Sequence, residues 1–246
     1  MKIIKKALKF FIYSALSFFP SKGIVILMYH SVGGNKEFFT VKTEDFDKQM
    51  KYLKDKGFNV VKLKDLPSLK NNKNIKKTVA ITFDDGYMDN YSEAFPILEK
   101  YGFPATIFIT TSLIGGKIVA RRGTELGVLS EAEIKEMLGS GLIDFGSHCH
   151  HHVKLATLNE EGVKEEFSAS QKILSEISGA SPDILAYPYG NFNDRVLDIA
   201  KNFFKIIVTV RKGREKSLNL LNLRRNSIDS EIGFWQFKKI VKLGRL

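Results

Sequence analysis

The chain has 246 residues, 43% hydrophobic and 26% charged, the proportions of a globular protein with one large domain or two small ones. Its single cysteine, Cys149, excludes an intrachain disulfide and fits a reducing compartment. The net charge of +11 suits an anionic membrane surface, an acidic polymer or simply solvated lysine faces, and no nucleic-acid-binding motif accompanies it.

Lysines at positions 2, 5, 6 and 9 precede an uncharged run from Phe10 to Phe19. Such a run falls short of the ~20 residues that span a bilayer. Three readings stand, in this order: a basic amphipathic helix in the membrane interface, an export signal without an Ala-x-Ala-like cleavage site, and a plain packing helix. Ile24–His30 is an apolar strand ending in a polar residue, and Ser31–Asn35 is a loop. Phe46, Met50 and Leu53 share one helical face, which Gly57 ends. Phe58–Leu63 reads as a strand, Asp65–Leu69 as a short helical turn, and the Lys/Asn run after it as a surface loop. Thr78–Phe83 is a strand of apolar and β-branched residues that runs into Asp84-Asp85-Gly86.

Asn90–Tyr101 reads as a helix stopped by Gly102, Pro104–Ile109 as a strand, and Thr110–Val128 as a long irregular loop of the kind that carries function. Ser130 and Glu133 form a capping box for a helix to about Gly141. Ile143–Gly146 is a short strand leading into His148. Thr157 and Glu160 suggest a second capping box, for a helix ending near Gly179. Ile184–Tyr187 is a strand entering Pro188-Tyr189-Gly190. Asn193 caps a helix through Lys201, and Phe204–Val210 and Asn222–Ile228 are the last strands. Ile232–Leu246 alternates large apolar residues with Lys238, Lys239, Lys242 and Arg245, as a closing helix or a membrane contact would. The chain thus divides into a basic apolar segment, 1–22, a main domain, 23–230, and a basic amphipathic helix, 231–246. Strand and helix alternate about seven times, the pattern of a parallel sheet with crossover helices, open or closed into a barrel.

Such sheets keep their sites at the carboxyl ends of the strands. Here His30, Asp84-Asp85, His148 and Pro188-Tyr189-Gly190 each end one. Two adjacent carboxylates at the mouth of a core strand are costly unless a cation or proton compensates. His148 and His152, four apart, can turn both imidazoles to one side, as a metal requires. One carboxylate completes a three-ligand set with an open position, the pattern of a catalytic zinc site. The other carboxylate is then free as a general base. His30, the histidine outside the 148–152 cluster, suits a general acid. His150 and His151 are left over, and Cys149 is read as packing inward.

These residues resemble the motifs of the polysaccharide deacetylases with a NodB-homology domain, carbohydrate esterase family 4. Thr82-Phe83-Asp84-Asp85-Gly86 matches the first motif, which implies Asp84 as base and Asp85 as metal ligand. Ser147-His148 with His152 matches the second, His-x-x-x-His, and implies both histidines as ligands. Tyr187-Pro188-Tyr189-Gly190 resembles the third, which implies that the Tyr189 backbone N–H helps bind the oxyanion. Over roughly residues 24–228 the resemblance implies an α/β fold, a distorted (β/α)7 barrel of parallel strands with outer helices. It also implies metal-dependent removal of acetyl groups from N-acetylated sugars. The ion is divalent, with zinc first, although His, His and Asp also suit Co, Ni or Fe.

Leu27-Met28-Tyr29-His30 looks like the poly-N-acetylglucosamine subgroup, whose acid motif has moved to the N-terminal end. There are departures. Many members carry an arginine where Ala186 stands, which orients the base, and Arg224 or Arg225 is the candidate replacement. No Asp-x-x-Asp-Trp motif occurs, and no histidine follows His152. The expected substrate is an N-acetylated cell-envelope glycan or lipid-linked saccharide, met at a membrane surface or, alternatively, after export. The competing functions are an O-acetyl, xylan-type esterase and an inactive glycan-binding barrel.

Overall fold

The structure, a computed structural model, describes residues 22–70, 75–120 and 122–245. The expected basic segment therefore lies outside the described residues except for Lys22. In chain order the elements begin with β1 (Ile24–Tyr29), β2 (Ser31–Val32), β3 (Thr40–Val41), α1 (Thr43–Asp55), β4 (Asn59–Val61) and α2 (Leu66–Leu69). Next come β5 (Thr78–Phe83), α3 (Phe95–Tyr101), β6 (Ala105–Ile109), β7 (Lys117–Val119), β8 (Glu125–Gly127) and α4 (Glu131–Gly139). The chain continues through β9 (Ile143–Ser147), α5 (Glu160–Ser178), β10 (Ile184–Ala186), α6 (Asp194–Ala200), β11 (Ile206–Val208), β12 (Asn226–Ser227) and α7 (Phe234–Leu243).

β1 and β5 are continuous buried runs, as strands covered on both faces must be, and they pair in parallel along their full length. The sheet runs β11-β10-β9-β6-β5-β1-β12. The segment that holds β12 also reaches β11. Leu223 bridges Val208, and the Leu223 amide donates to the Ile207 carbonyl at 2.9 Å. This closes the ring into the expected distorted (β/α)7 barrel. The distortion has a visible source: β4 pairs with Thr78–Ala80 of β5, and β6 takes over the same strand at Thr82 and Phe83.

Strand periodicity sorts side chains to two sides. Ile24 and Ile26 of β1, Ala80 of β5, Phe108 of β6 and Ala186 of β10 fill the barrel interior. Val25, Leu27 and Tyr29 face outward, against Phe46, Met50 and Leu53 of α1 and Phe237, Ile240 and Val241 of α7. The second outer cluster joins Leu185 and Ile207 to Val163 and Phe167 of α5 and Val196 of α6.

Some expectations are corrected. The Ser31–Asn35 loop begins with β2, which pairs with β3. The irregular stretch Thr110–Val128 contains an antiparallel hairpin of β7 and β8. Its strands are too exposed to carry a core alternation. The helix from Asn90 starts as a π-turn, Asn90–Ala94, before α3. Pro96 has no N–H to continue the ordinary ladder there. The cap of α5 is Asn159, whose side chain accepts from the Gly162 amide, and not Thr157, which sits in the preceding turn and donates to the Lys154 carbonyl. The capping box at Ser130 is present as expected. No described helix is long and apolar enough to cross a membrane.

Candidate active site and metal centre

The inward parity of three strands delivers three of the expected residues. Beyond Ile24 and Ile26, Met28 and His30 line a cleft of about 340 Å³ at the carboxyl end of the barrel. On β5 the inward series Ala80, Thr82 continues into Asp84, and on β9 Gly146 is followed by His148. Asp85 leaves this register. Its φ of +72°, followed by +70° at Gly86, turns the chain out of the strand. The φ of Gly86 favours glycine, and a Cβ there would stand 2.3 Å from Ile109 Cδ1 and displace it. Cys149 (φ +66°) and Tyr189 (φ +57°) adopt the same left-handed backbone in the other two loops. Each motif therefore spends conformational strain at one residue to aim its neighbours.

Asp85, His148 and His152 converge, with one ligand atom of each within 4.8 Å of the others. Asp85 Oδ1 lies 3.5 Å from His148 Nε2 and 3.3 Å from His152 Nε2. Two vertices of a tetrahedron with bonds of about 2.0–2.1 Å are about 3.3 Å apart, so this spacing fits a zinc-sized ion. The His148 tautomer is set by its surroundings. Nδ1 is 2.8 Å from the Ala186 carbonyl, which can only accept, so in the neutral ring Nε2 turns a lone pair toward Asp85. A lone pair facing a carboxylate is repulsive until a cation lies between them. Burial, helped by the neighbouring His148, lowers the His152 pKa to about 4, which keeps this ring neutral and its lone pair available at pH 7.

The loop carrying both histidines is braced from α5. Glu166 accepts the His151 amide at 2.7 Å and faces His151 Nδ1 at 2.8 Å. His150 pairs with Thr111, and Cys149 is buried with Leu155 and Tyr187. None of these three joins the ligand set.

Asp84 is held apart from the triad by a different partner. Arg225, fully buried, grips it with two bonds, Nη1 to Oδ1 at 2.6 Å and Nη2 to Oδ2 at 2.8 Å. The same guanidinium donates to Thr82 Oγ1 and, through Nε, to the Thr209 carbonyl. Burial works to raise the Asp84 pKa, but the charge of Arg225 leads the opposing influences and holds it at about 2. Arg224, one residue away and so on the other side of the chain, has its side chain against Gly213 and its amide on Glu215.

The rest of the cleft is apolar or aromatic. Phe39 stacks on Tyr87 at 5.4 Å and meets the His30 ring at 5.8 Å. Tyr189 lies against His152 at 4.3 Å between ring centres and is 62% exposed at the mouth. Phe38, Leu113, Ile118 and Val210 complete the walls, with no lysine or arginine among the described lining residues.

A family model described as polysaccharide deacetylase matches residues 71–203, over half of the chain. The chain belongs to the polysaccharide deacetylase family. YxkH of Bacillus subtilis, named for the same family, is 36% identical over 197 residues, 79% of this chain and 66% of that protein. The poly-beta-1,6-N-acetyl-D-glucosamine N-deacetylase of Staphylococcus aureus is 34% identical over 172 residues, 66% of this chain and 58% of that one. The chain thus spans less than two thirds of the length of these curated relatives. IcaB from Ammonifex degensii has the same fold, with a TM-score of 0.81 at 25% identity over 90% of this chain and 98% of that one.

With alanine at position 186 in β10, the cation on Asp84 is Arg225, which immediately precedes β12. Of the expected residues, His30, Asp84, Asp85, His148, His152 and Tyr189 all line one cleft. Glu166 and the Ala186 carbonyl were not foreseen. Glu166 had left a signal: it falls on the buried stripe of α5 with Val163, Phe167 and Ser170, where a carboxylate needs a partner.

Proposed function

We propose that this chain hydrolyses acetamido groups of N-acetylated amino sugars in a cell-envelope glycan, with a poly-N-acetylglucosamine as the preferred substrate class. The observation that carries this is one cleft holding a carboxylate clamped by Arg225, a separate Asp-His-His triad and a histidine facing both. Asp85, His148 and His152 would hold a divalent metal, zinc first. Such an ion, when bound, supplies Lewis acidity toward the acyl oxygen and lowers the pKa of a water from ~15.7 to ~7.

The chain's own residues divide the remaining work. Asp84, kept ionised, takes the proton of the attacking water. His30 donates a proton to the leaving amine, a poor leaving group without it. The Tyr189 N–H, set by its left-handed turn, is offered to the developing oxyanion. The apolar walls suit an acetyl methyl and sugar faces, and no lysine or arginine among the described lining residues is placed to meet a phosphate. The name of the Staphylococcus aureus relative supports the same substrate class.

The location proposed is a membrane surface, on the strength of the +11 net charge and the basic ends of the chain. The test is release of both acetate and free amine from an N-acetylglucosamine oligomer, before and after chelation. Chelator-sensitive release of both is expected. Acetate released from an O-acetylated xylan but not from the N-acetylglucosamine oligomer would indicate an O-acetyl esterase, and a protein that binds no metal and releases nothing from either would indicate a binding barrel.

A further inference from the structure

The turn that follows the two catalytic-site carboxylates does a second task. β1 and β5 run side by side up to the cleft, and their ladder ends where the Asp84 amide donates to the Tyr29 carbonyl at 3.0 Å. At Gly86 the β5 chain turns away, so the backbone of residues 30–32 loses β5 along one edge, while β3 pairs with Ser31 and Val32 along the other. Side chains continue the ladder. Asn90 Nδ2 donates to the His30 carbonyl at 2.7 Å. Asp89 Oδ1 accepts the Val32 amide at 3.2 Å, and Asp89 Oδ2 accepts the Ser31 hydroxyl at 2.5 Å. Asn90 is fully buried and also donates to Asp89 Oδ1 at 3.2 Å, which locks the pair together. The turn itself is fixed by the Met88 amide on the Gly127 carbonyl, from the hairpin, at 2.8 Å.

We infer that Asp89 and Asn90 are positioning residues for His30. They grip its carbonyl and the two residues after it, so one stretch of seven residues, 84–90, supplies base, metal ligand and the clamp on the acid. This rests on the proposed role of His30 as proton donor. Among the described residues the His30 ring contacts Phe39 but accepts or donates no hydrogen bond, so its aim depends on how firmly its backbone is held. A displacement of about 1 Å at a reacting group costs up to ~100-fold in rate.

The test uses the metal-loaded full chain and two substrates. An N-acetylglucosamine oligomer needs a proton on its leaving amine, whereas an aryl acetate with an acidic phenol leaves without one. The quantity read is the ratio of kcat on the amide to kcat on the ester. Asp89→Ala and Asn90→Ser should lower this ratio about 10- to 100-fold. Asp89→Asn, which keeps an acceptor for Val32, should restore most of it. Metal content should stay stoichiometric in all three, and amide hydrogen exchange at Val32 should accelerate in Asp89→Ala.

In a His30→Gln background, adding Asn90→Ser should lower the ratio no further. If His30→Gln lowers the ratio but Asp89→Ala and Asn90→Ser do not, the clamp is wrong. The same follows if Asn90→Ser keeps its full effect without His30. If His30→Gln itself leaves the ratio unmoved, the acid assignment fails and the clamp has nothing to position.

Discussion

Asp84 is a carboxylate that the fold buries and keeps charged, which succeeds only because Arg225 meets both of its oxygens. Asp84→Asn keeps the shape and removes the base, so acetate release should fall about 10²- to 10⁴-fold with metal content retained. Unchanged release would remove Asp84 from the mechanism. Arg225→Met should be worse for stability than for shape, because it strands a buried charge, a loss of about 3–5 kcal/mol. Adding Asp84→Asn to Arg225→Met should recover most of that loss in urea unfolding, and simple additivity would show that the two do not depend on each other. Asp89 has the opposite electrostatics. Burial raises its pKa from 3.8 to about 6, against the bonds from Ser31 and Val32 that lower it. The folded chain therefore holds a proton that the unfolded chain has released. The stability this brings is complete below the unfolded pKa and is lost as pH rises through about 6. A shift of about two units is worth at most ~3 kcal/mol. Asp89→Asn removes the titration, so between pH 4 and 7 wild type should lose about 2–3 kcal/mol relative to the variant, read by urea unfolding of chelated protein. A constant difference across that range would show that folding does not raise the pKa of Asp89.

Elements decide which side chains share a space, and here the period of two made much of the site legible. His30, Asp84 and His148 each continue the inward series of a strand, so alternation alone sends them to one cavity. Asp85 and Tyr189 escape that rule, because left-handed backbone takes them out of register and alternation cannot show it. The β7–β8 hairpin escaped because its exposed residues have no core to face. The choice between Arg224 and Arg225 needed the barrel to close, since only the parity of the last strand tells them apart. Contacts between elements were least legible of all. Glu166 braces the histidine loop from α5, fifteen residues beyond His151, with one oxygen on the backbone and one at the ring. Glu166→Ala removes both, and metal affinity should weaken about 10- to 100-fold in a chelator competition. Glu166→Gln, which keeps one acceptor, should lose less. An unchanged affinity in Glu166→Ala would mean that Ser147, bonded to Ser170 of α5, together with Cys149 and the 110–112 stretch, holds the loop without Glu166.

At the scale of the molecule, charge and cleft are separated. The net charge of the chain is +11, and none of the described residues lining the cleft is a lysine or arginine, so the positive field would meet a partner other than the proposed substrate. The far side of α7 is one place where that field meets apolar surface. Its inner face, Phe237, Ile240 and Val241, is buried in the core. Trp235 is 58% exposed and Phe234 40%, with Lys238 Nζ 4.9 Å above the Phe234 ring and Lys239 Nζ 5.4 Å above that of Trp235. Rings at the surface beside lysines suit the headgroup layer of an anionic membrane, where each lysine near the surface is worth about 1 kcal/mol. Trp235 is the chain's sole tryptophan, so its emission reports on α7 alone, whatever residues 1–21 contribute to binding. Vesicles containing phosphatidylglycerol should shift that emission to the blue, neutral phosphatidylcholine vesicles should not, and about 0.5 M salt should reverse the shift by screening. Co-sedimentation with the same vesicles but no shift would place the membrane contact elsewhere on the chain and leave α7 a closing helix. Neither sedimentation nor a shift would remove the membrane from the account and leave an acidic polymer or simply solvated lysine faces as the reading of the positive field.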